Sequence, residues 1–325
     1  MKKSILFLLI SFFFVLSSYS QSFRFGSFWK QSRNELVFGG GASYFLGELG
    51  GRDQVGSNFV QDLEISKTRY VINLGYRYFL LEPLSVKTSF YYGMVSGDDN
   101  TTKEPYRANR NLHFRSPVYE ASLLLEYHLL KTRTGSRYNI RGARSSGGFS
   151  LGVNVFFGAG YMFFNPQAQY QRTGSWIDLH PLNTEGQGLS VGGVVGPAPY
   201  KKSSLVLPFG IAFRYSVSQM IKLGLEIGSR ITFTDYIDDV SGVYYDKEEI
   251  RKAKGDEAAW FADPSLGTIP IVTDGAWSSD PTLPGRERGD ATDKDSYGFV
   301  VLTANYKLGK RGFRKVRTRR SVPSF

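Results

Sequence analysis

The sequence predicts an all-β protein, an antiparallel transmembrane up-and-down β-barrel of about eight strands, with long loops on one side and short helices within them. Three observations carry this expectation. Segments of about ten residues alternate apolar and polar side chains with a period of two, as strands do when one face meets lipid and the other a lumen. Beyond the N-terminal stretch no run approaches the roughly 18 consecutive apolar residues of a spanning helix. Short connections alternate with long ones, as when short turns face the periplasm and long loops the exterior.

In order, Lys2 and Lys3 precede the apolar run from Ile5 to Leu16, and Ser18 and Ser20 are small residues before Gln21. This reads as an export signal over residues 1–20, cleaved before Gln21. The barrel is expected over 21–308 and a basic periplasmic tail over 309–325. Its first strand, 36–46, sets Leu36, Phe38, Ala42, Tyr44 and Leu46 against Val37, Gly39, Gly41, Ser43 and Phe45. The second, 68–80, opposes Tyr70, Ile72, Leu74 and Tyr76 to Arg69, Val71, Asn73, Gly75 and Arg77. A tight turn at Glu82-Pro83 suits proline, whose missing N–H breaks no ladder there. The remaining strands are expected at 84–95, 118–130, 149–163, 205–217, 221–234 and 297–308. In the seventh, Ile221, Leu223, Leu225, Ile227, Ile231 and Phe233 share a face opposite Lys222, Gly224, Glu226, Gly228, Arg230 and Thr232. Small glycines between charges of both signs suit a narrow, packed polar lumen.

The long loops then fall at 47–67, 96–117, 164–204 and 235–296. The last is acidic early, with Asp238, Asp239, Asp246, Glu248, Glu249, Asp256 and Glu257, and a helical piece is expected near 247–261. The opposite end is basic. The connection 131–148 carries Lys131, Arg133, Arg137, Arg141 and Arg144 without an acid, and beyond the last strand come Lys310, Arg311, Arg314, Lys315, Arg317, Arg319 and Arg320. Either this is solvated charge near acidic head groups, or it is a docking surface for an acidic periplasmic protein. The formal charge of +11 belongs to these segments, and nucleic acid is not an expected partner of an exported barrel.

Little in the chain looks like chemistry. Cysteine is absent, which excludes disulfides and thiolate metal sites. His113, His128 and His180 are too scattered for a metal centre, and no Ser/His constellation of a lipid hydrolase can be assembled, so no enzymatic activity and no cofactor are expected. Asp235, Asp238 and Asp239 do not match the spacing of a twelve-residue calcium loop. The inward charges Arg69, Arg77, Lys87, Glu120, Glu126, Arg214, Lys222, Glu226 and Arg230 are expected to pair as a network that fills the lumen. The competing readings for them are proton relay and solute passage.

Five stretches carry a family resemblance: GGGASYFLGELG in the first strand, ANRNLHFRSP before the fourth, GAGYMFFNPQAQY leaving the fifth, DLHPLNTEGQG in the third long loop, and RITFTDYIDDVSGVYYD after the seventh. Together they resemble the PorG-like outer-membrane barrels of Bacteroidetes, linked to type IX secretion, with TEGQG and TDYIDDVSG the most specific. The resemblance spans about 35–308 and leaves out the basic tail. It implies a non-enzymatic outer-membrane component that anchors or positions a periplasmic ring of PorK- and PorN-like subunits, the lipoprotein and its partner. The basic segments would be the contacts. Separately, an even number of strands after a periplasmic N-terminus is expected to return the C-terminus to the periplasm. The alternative is an autonomous small barrel that binds a ligand or surface partner through its outer loops.

Overall fold

Alternation with a period of two turns every second side chain to the same face, and eight such strands here close on themselves. The computed structural model describes residues 33–47, 49, 68–102, 104–130, 151–191, 194–218, 220–275 and 277–308. The export signal, most of the first long loop, the basic connection 131–148 and the tail 309–325 lie outside the described residues. The barrel strands are β1 (Asn34–Leu46), β2 (Arg69–Phe79), β3 (Leu84–Asp98), β4 (His113–Leu130), β5 (Leu151–Phe164), β6 (Ser203–Ser216), β7 (Ile221–Thr232) and β8 (Ser296–Leu308). Each pairs antiparallel with its sequence neighbours, and β1 pairs with β8 from Asn34↔Leu308 to Leu46↔Ser296, so no edge remains. Closure satisfies every strand's backbone within the sheet, the requirement for crossing lipid.

The burial pattern is inverted relative to a soluble protein. Apolar side chains point outward and are exposed, among them Ile72, Leu74, Phe90, Leu123, Leu207 and Leu223, with Phe157 at 62% and Leu302 at 68%. Charged side chains point inward and are buried. Outward tyrosines and phenylalanines mark both borders of the apolar belt. Tyr76, Tyr127, Tyr215 and Tyr306 stand near the end with the short turns, and Tyr70, Tyr119, Tyr161, Phe163 and Phe233 near the end with the long loops. Such girdles flank the hydrocarbon layer in transmembrane barrels. No described helix is long and apolar enough to cross a membrane, and the strands do the crossing.

Sequence exceptions sit where the ladder tolerates them. Pro208 lies within β6, and the β5–β6 register skips from Val206↔Gly160 to Phe209↔Phe157, so its missing N–H falls in an interrupted stretch. A Cβ at Gly158 would run into the Leu123 carbonyl and one at Gly210 into the Ile227 carbonyl. Both glycines permit a close strand approach.

The largest departures from the expected strand limits are the end of β3 and the start of β4. The β3–β4 ribbon continues past Val95 and Val118 to Asp98↔His113, so part of the expected loop 96–117 is strand. Pro117 belongs to β4 and sits just beyond the last β5 rung, Val118↔Phe164, where one flank of the strand is no longer paired. The expected helical piece forms two helices. Before them, α1 (Pro105–Arg110) sits between β3 and β4. Then come α2 (Lys247–Lys254), capped by the Asp246 carboxylate accepting from the amides of Glu248 and Glu249, and α3 (Asp256–Ala262). Gly255, at φ 93°, ends α2 and starts α3 in a backbone conformation that favours glycine.

Candidate functional site: a filled lumen beneath an ordered cap

Inward positions near the turn end bring the predicted charges together. Arg77 on β2 donates from Nε to Glu126 Oε2 at 2.6 Å and from Nη2 to Glu126 Oε1 at 3.1 Å, a two-pronged pairing across the barrel. Its Nη1 reaches Glu35 Oε2 at 2.9 Å and Asn305 Oδ1 at 2.7 Å. Lys222 Nζ holds the other Glu35 oxygen at 2.7 Å. Arg214 Nη2 donates to Glu126 Oε2 at 2.9 Å, and Ser85 Oγ donates to the same oxygen. Lys87 Nζ donates to Glu226 Oε2 at 2.5 Å, while Tyr91 OH donates to Glu226 Oε1 at 2.6 Å. Nearer the loop end, Arg230 Nε and Tyr297 OH converge on Glu120 Oε2, and the Arg230 guanidinium lies 4.1 Å over the Phe299 ring. All these side chains are buried, and together they occupy the interior of a barrel just wide enough for side chains.

Glu35 belongs to this network although it lies just outside the strand expected at 36–46; β1 starts earlier, at Asn34, and one further step of the alternation finds it. Arg69 corrects the expectation in the other direction. Alternation assigns it to the lumen, but it is the first residue of β2, at the loop end, and it is exposed with Nε donating to Ser96 Oγ at 3.1 Å. Arg69 lies beyond the last β2–β3 rung, Val71↔Gly93, so β2 is paired there only on its β1 flank, through Ser43, and parity no longer decides direction. His128 lies at the turn-end mouth, its Nε2 2.8 Å from Ser85 Oγ and its Nδ1 3.4 Å from Arg214 Nη1. Lys131, Arg133, Arg137, Arg141 and Arg144, and Lys310, Arg311, Arg314, Lys315, Arg317, Arg319 and Arg320, all lie outside the described residues.

The loops build a second layer over the lumen. Ile237 and Val240, after β7, join the apolar cluster of Tyr91, Val95, Phe114, Val206 and Phe299 inside the upper barrel. Ile237 N donates to Asp295 Oδ2 at 2.8 Å, which ties this segment to the entry of β8. A buried polar knot fixes it from above. Glu185 Oε1 accepts from Ser241 N at 3.0 Å and from Gly242 N at 3.2 Å, and pairs with Arg288 Nη1 at 2.9 Å. Asp239 Oδ2 accepts from Thr184 Oγ1 at 2.6 Å and Asp239 Oδ1 from Tyr200 OH at 2.5 Å; Arg288 Nη1 also donates to the Asp239 carbonyl at 2.9 Å. Thus TEGQG and TDYIDDVSG, far apart in sequence, interlock. Arg288 completes the knot, and nothing local in the sequence marks it.

Burial, opposed by Arg288, pushes the Asp239 carboxyl up to about 6. Burial likewise raises Asp235 to about 6 and the Tyr200 phenol well above its usual range. Asp235, Asp238 and Asp239 do not converge on one point: Asp239 is engaged by Thr184 and Tyr200, while Asp238 Oδ1 accepts from Val240 N at 3.0 Å. Among the described residues no three side chains of metal-ligating type form a group that could hold an ion.

Solved structures to which this chain is similar share little sequence with it. Ail of Yersinia pestis, crystallised with the heparin analogue sucrose octasulfate, matches at 9% identity and a TM-score of 0.35 over 86% of this chain and 99% of that one. Neisserial surface protein A matches at 6% identity and 0.31, over 85% and 95%. A major outer membrane protein from Thermus thermophilus matches at 14% identity and 0.35, over 85% and 99%. No protein-family profile matches the sequence, and no curated protein matches it. The eight-stranded closed barrel therefore stands on the chain's own register and burial.

Proposed function

We propose that this chain is a non-catalytic outer-membrane barrel of the type IX secretion machinery that anchors or positions a periplasmic ring of PorK- and PorN-like subunits. The observation that carries this reading is the knot. TEGQG and TDYIDDVSG, the two stretches most like the PorG-like family, are the ones whose side chains and amides bind each other over the lumen. The resemblance therefore follows a three-dimensional unit rather than scattered composition. A lumen filled with paired charge leaves the two ends and the lipid face to act. In this reading the turn end, with the basic connection 131–148 and the basic tail, faces the periplasm, and complementary charge speeds and orients docking of an acidic partner.

The test is affinity co-purification of the tagged mature protein from gently solubilised native envelopes, comparing full length with a version ending at Gly309. Ring subunits that are recovered with full length and fall on truncation place the contact on the tail. Recovery with both moves the contact to 131–148 or the rim. Recovery with neither overturns the scaffold and favours an autonomous barrel. That second reading has its own support, because Leu266, Ile271 and Val272 of the loop-end layer are exposed apolar residues next to the ordered cap.

A further inference from the structure

The outward face of β2, β3 and β4 carries a feature that neither the lumen nor the cap uses. Tyr70, Tyr92 and Tyr119 form a row across the three strands. The Tyr70 and Tyr92 hydroxyls are 3.3 Å apart, and the Tyr92 and Tyr119 rings pack with centroids 4.8 Å apart. Tyr70 is 49% exposed and Tyr119 44% exposed, and the residues beneath them, Ile72, Phe90 and Leu123, belong to the apolar belt. The row thus sits at the border where hydrocarbon gives way to head groups, the usual position of membrane-interface tyrosines.

Two guanidinium groups stand directly above this row. Arg115 is opposite Ser96 in the β3–β4 register, and Arg69 donates to that same Ser96. Arg69 and Tyr70 are both electrostatic neighbours of Arg115. Arg115 is held in place by Gln167 Oε1, 3.0 Å from its Nε, and by the Trp176 ring 4.0 Å from its guanidinium carbon. Neither arginine is ion-paired to a carboxylate among the described residues. Asp98, the outward carboxylate just above on β3, pairs with Arg172 Nη1 at 3.0 Å. Two like charges are therefore brought together at a lipid border, where the lowered dielectric magnifies their repulsion. An anion between them removes it.

We propose that Arg69 and Arg115, above Tyr70, Tyr92 and Tyr119, form a binding site for the phosphate of a phosphorylated glycolipid in the leaflet at the loop end. A planar guanidinium presents paired donors that match phosphate oxygens. The phenol hydroxyls add donors at head-group depth, their rings offer flat faces to a sugar, and the belt below receives acyl chains. The site requires only that the barrel span a bilayer and is independent of the secretion role.

The experiment is native mass spectrometry of the folded full-length protein in detergent, titrated with bisphosphorylated lipid A, its dephosphorylated form, and phosphatidylglycerol. Bisphosphorylated lipid A should bind about tenfold or more tightly than either control, and the double variant Arg69→Gln/Arg115→Gln should lose that preference. Arg115→Lys keeps the charge but not the planar fork and should fall between them, which keeps the test sharp if the double variant folds poorly. Retained heat-modifiable gel mobility reports folding. Equal affinity of wild type and folded double variant overturns the proposal. Equal binding of phosphatidylglycerol overturns it in favour of unspecific anionic attraction, and displacement by millimolar inorganic phosphate alone overturns it in favour of a free-phosphate site.

Discussion

At the scale of single residues, the lumen is a set of buried charges whose worth lies in their pairing. Removing one partner strands the other in a medium that solvates it poorly, whereas replacing both with apolar groups removes the desolvation cost as well. The Glu120–Arg230 pair tests this in a Tyr297→Phe background, because Tyr297 OH also donates to Glu120 Oε2 and would otherwise lose its acceptor, while the Gly228 carbonyl that accepts from Arg230 Nη1 is a backbone group of the sheet. Glu120→Leu added alone to that background should destabilise the barrel by about 3–5 kcal/mol. Glu120→Leu/Arg230→Met, which fills a similar volume beside Tyr91 and Phe299, should recover most of that loss. Equilibrium urea unfolding from lipid vesicles, followed by tryptophan fluorescence, measures both. A double variant as unstable as the single one would mean that the charges hold the interior together through more than their mutual attraction.

Among the elements, the segment 237–242 between β7 and α2 has the most consequence, since it seats Ile237 and Val240 in the upper barrel and is clasped by Glu185, Arg288 and Tyr200. Its pH dependence follows from the raised carboxyls. Asp239 binds its proton more tightly folded than unfolded, so its contribution to the closed cap is complete below the unfolded carboxylate range and is lost as pH rises through about 6. A rise of that size in a carboxyl pKa corresponds to about 3 kcal/mol. Amide exchange over 237–242, corrected for intrinsic rates, should therefore be faster at pH 7.5 than at pH 5, and Asp239→Asn should flatten the difference. Protection that does not change between the two pH values would sink this account. The strands were legible from sequence because alternation is local: a reader needs only the next few residues to assign a face. The cap was not, because its order comes from Thr184, Glu185, Asp239 and Arg288 meeting across long stretches of chain. Arg69 and the long β3–β4 ribbon lie between these cases. Alternation assigns faces correctly only while the strand has neighbours on both sides, and it misleads at the rim, where Arg69 turns away from the lumen and Pro117 still belongs to a strand.

The whole molecule sorts its two halves by what each must exclude. The sheet keeps lipid off the backbone by closing, the paired charges fill the lumen, and the cap covers its loop end with side chains drawn from the strands and from the loops after β5 and β7. The lumen and the cap are separate closures in series, so removing one should leave the other. Deleting 238–290 and joining the ends with a short glycine-rich turn should remove the knot but leave Arg77, Glu126, Lys87, Glu226 and Arg214 in place, since none of their ion-pair partners comes from the loop. In planar bilayers the intact protein should be non-conducting, and so should the deletion variant. Conductance should appear only when the charge layer is also broken, for instance by Glu126→Ala with Arg77→Ala in the deletion background, because the inner wall then has room and too few fixed partners to stay dry. Steady conductance from the deletion variant alone would show that the cap is the gate and the charge layer a wet lining, and would return solute passage through the barrel as its function.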